Sequence, residues 1–374
     1  GLGLALSIIL PVFDLPSTQG RYDVGARYLH FISDRDELIT HDGGDQREVM
    51  IKVWYPAKVS GEKKEPYLDE AGRKGFARKY NLPLNTFGYL DYIETNTFQE
   101  PEFAAGSFPI LIFSHGYNSN AFGYFALLEE IVSHGFIVIN INHTYESVGS
   151  RFPNGELRFY DKEYDRKNNG EVMAEMAWRA TEDLRKAKGI GEKRDAINEV
   201  LKNYYASKVL DRWEKDINDI VKEIPVWAET SFLVNHVDVS KLGILGHSQG
   251  GSVAGQILLK NPMINAGVNM DGVQWGEMVD TSLNKPFLLI SSDWDESHPN
   301  FNEVAYARSA SADFYISEIK NSGHSNFMDI PFIINLPLLN EAGTIKPEKA
   351  VRISSELVIK FFNKYLNFST VSFL

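Results

Sequence analysis

Four continuous apolar runs follow one another after residue 100, and they limit the fold of this chain more than any other feature. They lie at residues 108–113, 135–141, 241–245 and 286–290. Strands that are apolar on both faces are typical of parallel sheets covered by helices on each side. Because helix-like stretches alternate with them, the sequence predicts an α/β fold with a mostly parallel central sheet and helices on both faces.

Two further patterns add elements to this sheet. Residues 49–55 alternate more in hydropathy and end at Pro56, which predicts an outer, antiparallel strand. A later helical repeat has one apolar face that should pack on the sheet and end before Pro225. Its members are Trp213, Ile217, Ile220, Val221 and Ile224.

Residues 161–210 form a polar stretch rich in Lys and Glu, with helix-forming residues and no strand pattern. We predict an inserted helical cap here. A solvated helical hairpin without function is the alternative, and charge alone does not choose between them. Since no repeat or linker is evident, residues 1–374 are predicted to form a single domain that carries this insertion.

The first thirteen residues are almost wholly apolar, and the chain does not begin with Met. Spanning a bilayer takes about 20 apolar residues, so the segment is too short to cross one. We interpret residues 1–13 either as the remnant of a membrane or signal segment or as a strand packed on the core, with equal weight.

Composition excludes several classes of protein. The formal net charge is −12, and Lys and Arg are nowhere concentrated, which argues against a nucleic-acid surface. A neutral or apolar small-molecule or lipid substrate fits better. The chain has no cysteine, so disulfides, thiolate metal sites and a Cys nucleophile are excluded.

The strongest chemical motif is Gly-His-Ser-Gln-Gly at residues 246–250. Gly-x-Ser-x-Gly places serine on a strained turn between a strand and a helix, as in α/β-hydrolases. The required context is present, because an apolar run precedes the motif and the helix-like residues 252–259 follow it. Ser248 is therefore the predicted nucleophile.

A serine nucleophile needs a base, which follows late in the chain of such a fold. The sequence has two histidines after Ser248, namely His298 and His324. His324 lies in a polar loop after the strand-like residues 314–319 and is the better candidate. His298 is expected to lie on the surface.

The residues alone leave the acid open. Asp271 follows the first strand after the nucleophile helix, and Asp293 and Asp295 follow the second, where many α/β-hydrolases place their acid. A third interpretation, which we disfavour, makes Asp293, Asp295 and His298 a metal cluster.

The oxyanion needs two backbone donors, one directly after the nucleophile and one in the loop after an early strand. We predict the amides of Gln249 and Tyr117, with Gly116 allowing the tight turn. His115 lies ahead of the nucleophile and is expected to brace the loop.

Several segments occur in the order found in the platelet-activating factor acetylhydrolase family, which comprises plasma and type II intracellular enzymes and bacterial relatives of the α/β-hydrolase fold. The chain resembles this family from about residue 49 to residue 329, apart from the cap. The matching segments are residues 52–56, 113–116, 133–138 and 238–251.

The resemblance implies roles for individual residues. Asn-Met-Asp-Gly at residues 269–272 is similar to the family's acid segment and favours Asp271, although Asp293 and Asp295 keep an alternative open. His324 corresponds to the family's base. Residues 142–147 resemble bacterial relatives more than animal enzymes, and His143 and Tyr145 are candidates for lining the acyl or leaving-group pocket, with a structural loop role as the alternative.

The resemblance implies a serine carboxylic ester hydrolase that needs no metal or cofactor and cleaves short acyl esters of phospholipids or simple esters. The alternatives are a polyester hydrolase, a lactonase or a peptidase on the same triad, or an inactive hydrolase-fold binding module. We expect a bacterial protein outside the cytoplasm or associated with a membrane through its N-terminus, with a cytoplasmic location as the alternative.

Overall fold

The computed structural model describes residues 9–40, 42–295, 298–309 and 313–367. Its centre is a ten-stranded sheet in the order β12-β11-β10-β9-β5-β6-β2-β1-β3, with β4 paired to β2; β7 and β8 form a separate hairpin. The strands are β1 (Asp23–Asp36), β2 (Gln46–Lys58), β3 (Thr97–Gln99), β4 (Glu102–Phe103), β5 (Phe108–Ser114), β6 (Ile137–Asn142), β7 (Gly149–Arg151), β8 (Leu157–Phe159), β9 (Val237–His247), β10 (Ile264–Met270), β11 (Phe287–Ser292) and β12 (Phe314–Ile319).

Helices connect and cover these strands. The α-helices are α1 (Glu70–Lys79), α2 (Phe125–Ser133), α3 (Lys162–Asn168), α4 (Glu171–Lys186), α5 (Ile190–Asn203), α6 (Tyr205–Thr230), α7 (Gln249–Lys260), α8 (Phe301–Ala305), α9 (Ile330–Ile333), α10 (Pro337–Asn340) and α11 (Pro347–Leu366). Short 3-10 helices lie at Gly88–Tyr92, Glu277–Asp280 and His324–Phe327.

The six strands from β12 to β6 run parallel to one another. Every residue of β5 is buried, and its side chains alternate between two hydrophobic clusters. Leu111 and Phe113 join α2 and α11 on one face, whereas Ile110 and Ile112 join α6 and α7 on the other. Alternation in a strand that is apolar on both sides thus builds both halves of the core. The predicted parallel sheet with helices on both faces is confirmed.

Strand β2 pairs antiparallel with both β1 and β6, so the predicted direction is right and the predicted outer position is wrong. Strand β1, which the sequence analysis did not predict, pairs with the side of β2 that is not paired with β6, so β2 is not at the edge of the sheet. Pro56 does not end β2, which continues to Lys58. At this position the strand pairs with Val24 of β1.

Helix α6 also continues past the predicted end, since Pro225 lies inside it and the helix runs to Thr230. Proline removes one helical hydrogen bond. The turn beyond it is held by packing, because Trp227 joins the same hydrophobic cluster as Trp213 and Ile217.

Residues 161–210 are helical and comprise α3, α4, α5 and the start of α6. They lie between β8 and β9. A small hydrophobic cluster with Leu184, Ile197 and Val304 joins α4 and α5 to α8, which follows β11. This insertion is therefore anchored beside the loops that follow β10 and β11.

Residues 1–8 lie outside the described part of the chain, and residues 9–13 do not form the strand considered above. Instead, Phe13 packs on the core, with its ring 5.5 Å from that of Tyr67 and 5.8 Å from that of Phe332. Across the described residues, no helix is long and apolar enough to cross a membrane.

Candidate active site

Ser248 lies on the sharp turn between β9 and α7, with φ 56° and ψ −120°. A positive φ is strained for any residue with a side chain, and such strain is found at functional sites where the surroundings enforce it. The Ser248 amide donates to the carbonyl of Met270 at the end of β10, at 2.9 Å. Two neighbouring strand ends therefore fix the turn.

Close backbone contacts explain the glycines around this serine. A Cβ atom at Gly246 would lie 2.2 Å from the carbonyl oxygen of Gly250, and one at Gly250 would lie 2.0 Å from that of Ser114. At Gly272, the residue after Asp271, it would lie 2.2 Å from the carbonyl oxygen of Ser248. The sharp turn at Ser248, called the elbow below, therefore needs glycine at Gly272 in the neighbouring segment as well as at Gly246 and Gly250 in the motif.

Asp271 and His324 meet next to this elbow. Nδ1 of His324 lies 2.7 Å from Oδ2 of Asp271. The ring of His324 lies 4.6 Å from that of His247, the residue before Ser248. Because an ionised carboxylate only accepts, Nδ1 carries the proton, and Nε2 is left as the acceptor that a general base needs.

The carboxylate of Asp271 is fully buried and receives several further hydrogen bonds. The amide of Ser292 donates to Oδ1 at 2.7 Å, the hydroxyl of Ser292 lies 2.8 Å from each oxygen, and Nε1 of Trp294 donates to Oδ1 at 3.0 Å. Burial raises the pKa of this carboxyl, but the bonds from His324 and Ser292 outweigh burial and leave the pKa below its ordinary value. Asp271 is therefore held as a carboxylate facing His324.

Of the other candidate acids, Asp293 binds Lys320 and Asn321. Oδ2 of Asp293 accepts from the amide of Asn321 at 2.7 Å, and Oδ1 lies 3.3 Å from Nζ of Lys320. These bonds lower the pKa of Asp293, the backbone bond from Asn321 most strongly. Asp295 is exposed.

The three residues considered as a metal cluster do not converge. His298 is exposed, as predicted, and stacks on Trp294 at 4.1 Å. In the described residues, no group of three or more His, Cys, Asp or Glu could hold a metal ion.

The loop after β5 passes directly beside the nucleophile, because a Cβ atom at Gly116 would lie 3.4 Å from that of Ser248. Tyr117 is the next residue of this loop. Gln249 is the first residue of α7, so its amide has no acceptor within the helix. The two predicted oxyanion donors thus lie in segments on either side of the serine.

The side chain of His115 braces the loop after β5, in which the second oxyanion donor was predicted. Its Nδ1 donates to the carbonyl of Gly116 at 2.7 Å, and its Nε2 accepts from the amide of His143 at 3.1 Å. Burial lowers the pKa of His115 well below its ordinary value, which keeps the ring neutral as this pair of bonds requires.

The phenol of Tyr117 joins the loop to the helical insertion. Its hydroxyl lies 2.7 Å from that of Tyr205, donates to Oδ1 of Asp165 at 3.1 Å and accepts from Tyr160 at 3.2 Å. Burial and the neighbouring phenols raise the pKa of Tyr117. Tyr117 therefore directly follows the glycine beside Ser248, and its side chain binds residues of α3 and α6.

His143 lies beneath the loop and has no exposed surface. Its Nδ1 donates to Asp216 at 2.9 Å, its Nε2 accepts from the hydroxyl of Ser114 at 3.1 Å, and its ring stacks on Trp213 at 4.0 Å. Arg47 holds the same carboxylate at 2.7 Å. In this conformation His143 supports the end of β5 and lines no pocket.

Tyr145, the other pocket candidate, is half-buried and lines a surface cavity of about 430 Å³ together with Arg158 and Tyr160. A second cavity of about 440 Å³ borders the acid, and its lining includes Asp271, Gly272, Trp294 and His298. The second cavity borders Asp271 on the side of β11 and α8, and neither Ser248 nor His324 lines it.

Sequence reasoning missed the donors that hold the acid. Ser292 and Trp294 stand beside Asp293 and Asp295, where the pattern drew attention to carboxylates instead. The signal that could have indicated them is a pair of hydrogen-bond donors at the end of an apolar strand: Ser292 is the last residue of β11, and Trp294 follows two residues later.

Along the chain the order is Ser248, Asp271 and His324, which is the order of α/β-hydrolases, and with the sheet topology it assigns the protein to that class. A family model described as platelet-activating factor acetylhydrolase, isoform II, matches residues 9–371, and the chain belongs to this family.

Individual relatives agree with this assignment. The chain is 25% identical to the platelet-activating factor acetylhydrolase of Cavia porcellus over 266 residues, which are 69% of this chain and 58% of that protein. It is 25% identical to the enzyme of that name from Gallus gallus over 280 residues, or 70% and 62% of the two chains. The chain thus spans about three fifths of the length of these curated relatives.

Among solved structures, a ferulic acid esterase from Streptomyces cinnamoneus is similar with a TM-score of 0.72 at 20% identity. The similarity covers 96% of this chain and 95% of that chain. It confirms the predicted α/β-hydrolase fold.

Proposed function

We propose that this protein is a serine hydrolase of carboxylic esters with Ser248, His324 and Asp271 as its catalytic triad. The observation that carries the proposal is the 2.7 Å contact between His324 and the buried carboxylate of Asp271, with the imidazole next to the strained elbow of Ser248. The names of the relatives support ester substrates.

The proposed reaction uses these three residues and two backbone amides. His324 Nε2 takes the proton of Ser248 as Oγ attacks the ester carbonyl carbon, and Asp271 stabilises the resulting imidazolium. The amides of Tyr117 and Gln249 donate to the oxyanion. His324 then gives its proton to the departing alkoxide, which leaves an acyl-serine. A water molecule, deprotonated by His324, releases the acid and restores the hydroxyl.

We infer that residues 161–210 act as a cap that shapes substrate entry. The bonds of Tyr117 to Asp165 and Tyr205 support this role, since they join the insertion to the oxyanion loop. Short acyl esters of phospholipids or small alcohols are the proposed substrates. The names of the family model and of the curated relatives support them.

Association with a membrane surface through the apolar N-terminus, ahead of the core-packed residues Ile9, Leu10 and Phe13, belongs to the same proposal, as does a location outside the bacterial cytoplasm. The apolar composition of that segment supports both. Flotation of the full chain with phosphatidylcholine vesicles tests the association, and recovery of the protein entirely in the bottom fraction would contradict it.

Covalent labelling tests the triad. A fluorophosphonate probe should label the folded protein once, at Ser248, and Ser248→Ala should abolish both labelling and turnover of p-nitrophenyl esters. Circular dichroism checks that the variant is folded. A folded wild-type protein that takes up no probe would indicate a binding module instead.

A substrate panel then separates the alternatives. Rates with p-nitrophenyl esters should fall as the acyl chain lengthens from acetate, and an acetylated phospholipid should be turned over. Faster turnover of lactones, polyesters or peptides than of short esters would contradict the substrate class while leaving the triad intact.

A further inference from the structure

Helix α2 begins close to two functional loops of the proposed hydrolase. Its first residues are Phe125 and Ala126, and Tyr124 immediately precedes it. We call these three residues the α2 N-terminus. Contacts from both the oxyanion loop and the loop of His324 converge on it, and all of them are buried.

One set of contacts forms a chain of hydrogen bonds. The amide of Gly116 donates to the hydroxyl of Tyr124 at 3.1 Å, and that hydroxyl lies 3.1 Å from Nδ1 of His247. On the other side of the ring, Nε2 of His247 lies 3.0 Å from the carbonyl oxygen of His324. A carbonyl only accepts, so Nε2 carries the proton of His247.

The direction of every bond then follows. Burial and, after it, the neighbouring His324 together lower the pKa of His247 to about 3, so the ring is neutral and its Nδ1 accepts. Tyr124 therefore accepts from Gly116 and donates to His247. Each donor in the chain has one acceptor, and the chain runs from the oxyanion loop to the backbone of the base.

A second set of hydrogen bonds joins the loop of His324 to the α2 N-terminus through Asp329, five residues after His324. Oδ2 of Asp329 accepts from the amide of Phe125 at 2.6 Å and from the hydroxyl of Tyr67 at 3.0 Å, and Oδ1 accepts from the amide of Ala126 at 3.1 Å. A carboxylate at a helix N-terminus binds amides that have no partner within the helix. The loop of His324 is thus hydrogen-bonded to the same α2 N-terminus as the oxyanion loop.

We propose that Tyr124 and Asp329 are positioning residues, which hold the oxyanion loop and His324 in register with each other through the α2 N-terminus. This inference rests on the proposed function, since it concerns how that triad is assembled. Neither side chain contacts the reacting atoms. Their effect reaches catalysis through the backbone of Gly116 and of His324.

Removing the hydroxyl alone tests the chain of hydrogen bonds. Tyr124→Phe keeps the ring, which packs against Phe113 at 4.8 Å, but leaves the Gly116 amide and His247 Nδ1 without their partner. We expect kcat for p-nitrophenyl acetate and the rate of fluorophosphonate labelling to fall by about 10- to 100-fold, because small displacements of catalytic groups have effects of that size. KM should change by less than about threefold.

Tyr55→Phe is the matched control. Tyr55 is equally buried, and its hydroxyl donates to the carbonyl of Pro101 at 2.8 Å, on the other half of the sheet. We expect a lowered Tm with kcat within about twofold of wild type, since the ring stays packed and only a hydrogen bond away from the proposed triad is lost. A lowered Tm without a loss of kcat in Tyr124→Phe as well would overturn the inference.

Asp329→Asn tests the hydrogen bonds between Asp329 and the α2 N-terminus. If Tyr124→Phe does not fold, this variant alone tests the positioning role. We expect a similar loss in kcat, and less than additive losses in the double variant, because both residues hold the same loop. Labelling of Asp329→Asn and Tyr124→Phe at the wild-type rate would overturn the inference alone. Absence of labelling in the wild type would overturn the proposed function and this inference with it.

Discussion

The indole Nε1 of Trp294 lies 3.0 Å from Oδ1 of Asp271, the carboxylate oxygen that is not used by His324. Trp294→Phe removes this donor and keeps an aromatic ring to stack on His298. A hydrogen bond to a charged group contributes about 1.5–3 kcal/mol when buried, and the half-exposed indole leaves room for water to replace it. We expect kcat/KM for p-nitrophenyl acetate to fall by about 3- to 10-fold. Trp178→Phe, on the exposed face of α4, should leave it unchanged, and equal losses in both variants would contradict a specific role for Trp294.

We expect substitutions of the three carboxylates considered from the sequence to differ in their effect on activity. Asp271→Asn removes the acceptor that fixes the protonation of His324, and losses of about 10⁴-fold in kcat are typical when a triad acid is changed in this way. Asp293→Asn affects a carboxylate that binds Asn321 and Lys320, so kcat should stay within about twofold. Steady-state kinetics of both variants, with Asp295→Asn beside them, check the assignment. A loss of several orders of magnitude in Asp295→Asn with near wild-type activity in Asp271→Asn would reverse it.

The backbone contact between Gly272 and Ser248 predicts a steric effect. In Gly272→Ala the new Cβ would lie 2.2 Å from the carbonyl oxygen of Ser248, so the elbow or the Asp271 segment must move. We expect a loss of about 1–3 kcal/mol in the free energy of unfolding and at least about 10²-fold in kcat. Gly191→Ala is the control, because nothing lies within 4 Å of the added methyl group and alanine favours the helix α5. Denaturant unfolding and kinetics of the two variants measure the difference. Wild-type kinetics for Gly272→Ala would contradict the prediction, because they would show that the backbone can make room for the methyl group without displacing the catalytic residues.

Glu129 predicts a pH dependence of stability. Its carboxyl is fully buried on α2, and burial raises its pKa to about 7 despite bonds from Thr97 and Asn96. A pKa raised on folding means that the folded state binds the proton more tightly. The stabilisation is therefore fully present below the unfolded pKa of about 4.5 and is lost as pH rises to about 7. The shift corresponds to about 3 kcal/mol.

Glu129→Gln cannot titrate, so its free energy of unfolding should lack this component. Urea unfolding of both proteins at pH 5 and pH 8 should show the glutamine variant gaining about 3 kcal/mol relative to wild type at the higher pH. Parallel changes in the two proteins would contradict a raised pKa for Glu129.

The parallel half of the fold was predictable because its strands are buried on both faces, which leaves an unmistakable apolar run in the sequence. The run at residues 108–113 corresponds closely to β5 (Phe108–Ser114). β1 was missed, since its exposed and half-buried positions alternate and carry polar residues that no local pattern separates from a loop. Only pairing with β2 makes it a strand. Helix α6 likewise continues past Pro225 because tertiary packing outweighs the lost hydrogen bond.

The candidate site shows the same division. Ser248 has a local signature, because its turn demands glycines at fixed spacing. Asp271 could not be separated from Asp293 by pattern, since the choice depends on which strand end faces His324 in space. Tyr124 and Asp329 carry no local signal at all, because their partners are up to 262 residues away in sequence.

Tyr117 places its amide in the oxyanion loop and its phenol among Tyr160, Tyr205 and Asp165 of the insertion and its flanks. A redesign of the entrance that shifts these phenols would pull on the same residue that is proposed to stabilise the oxyanion. Widening the protein's substrate range is therefore coupled to its turnover. Engineering that spares this residue's partners and changes the outer face of α4 instead would keep the two properties independent.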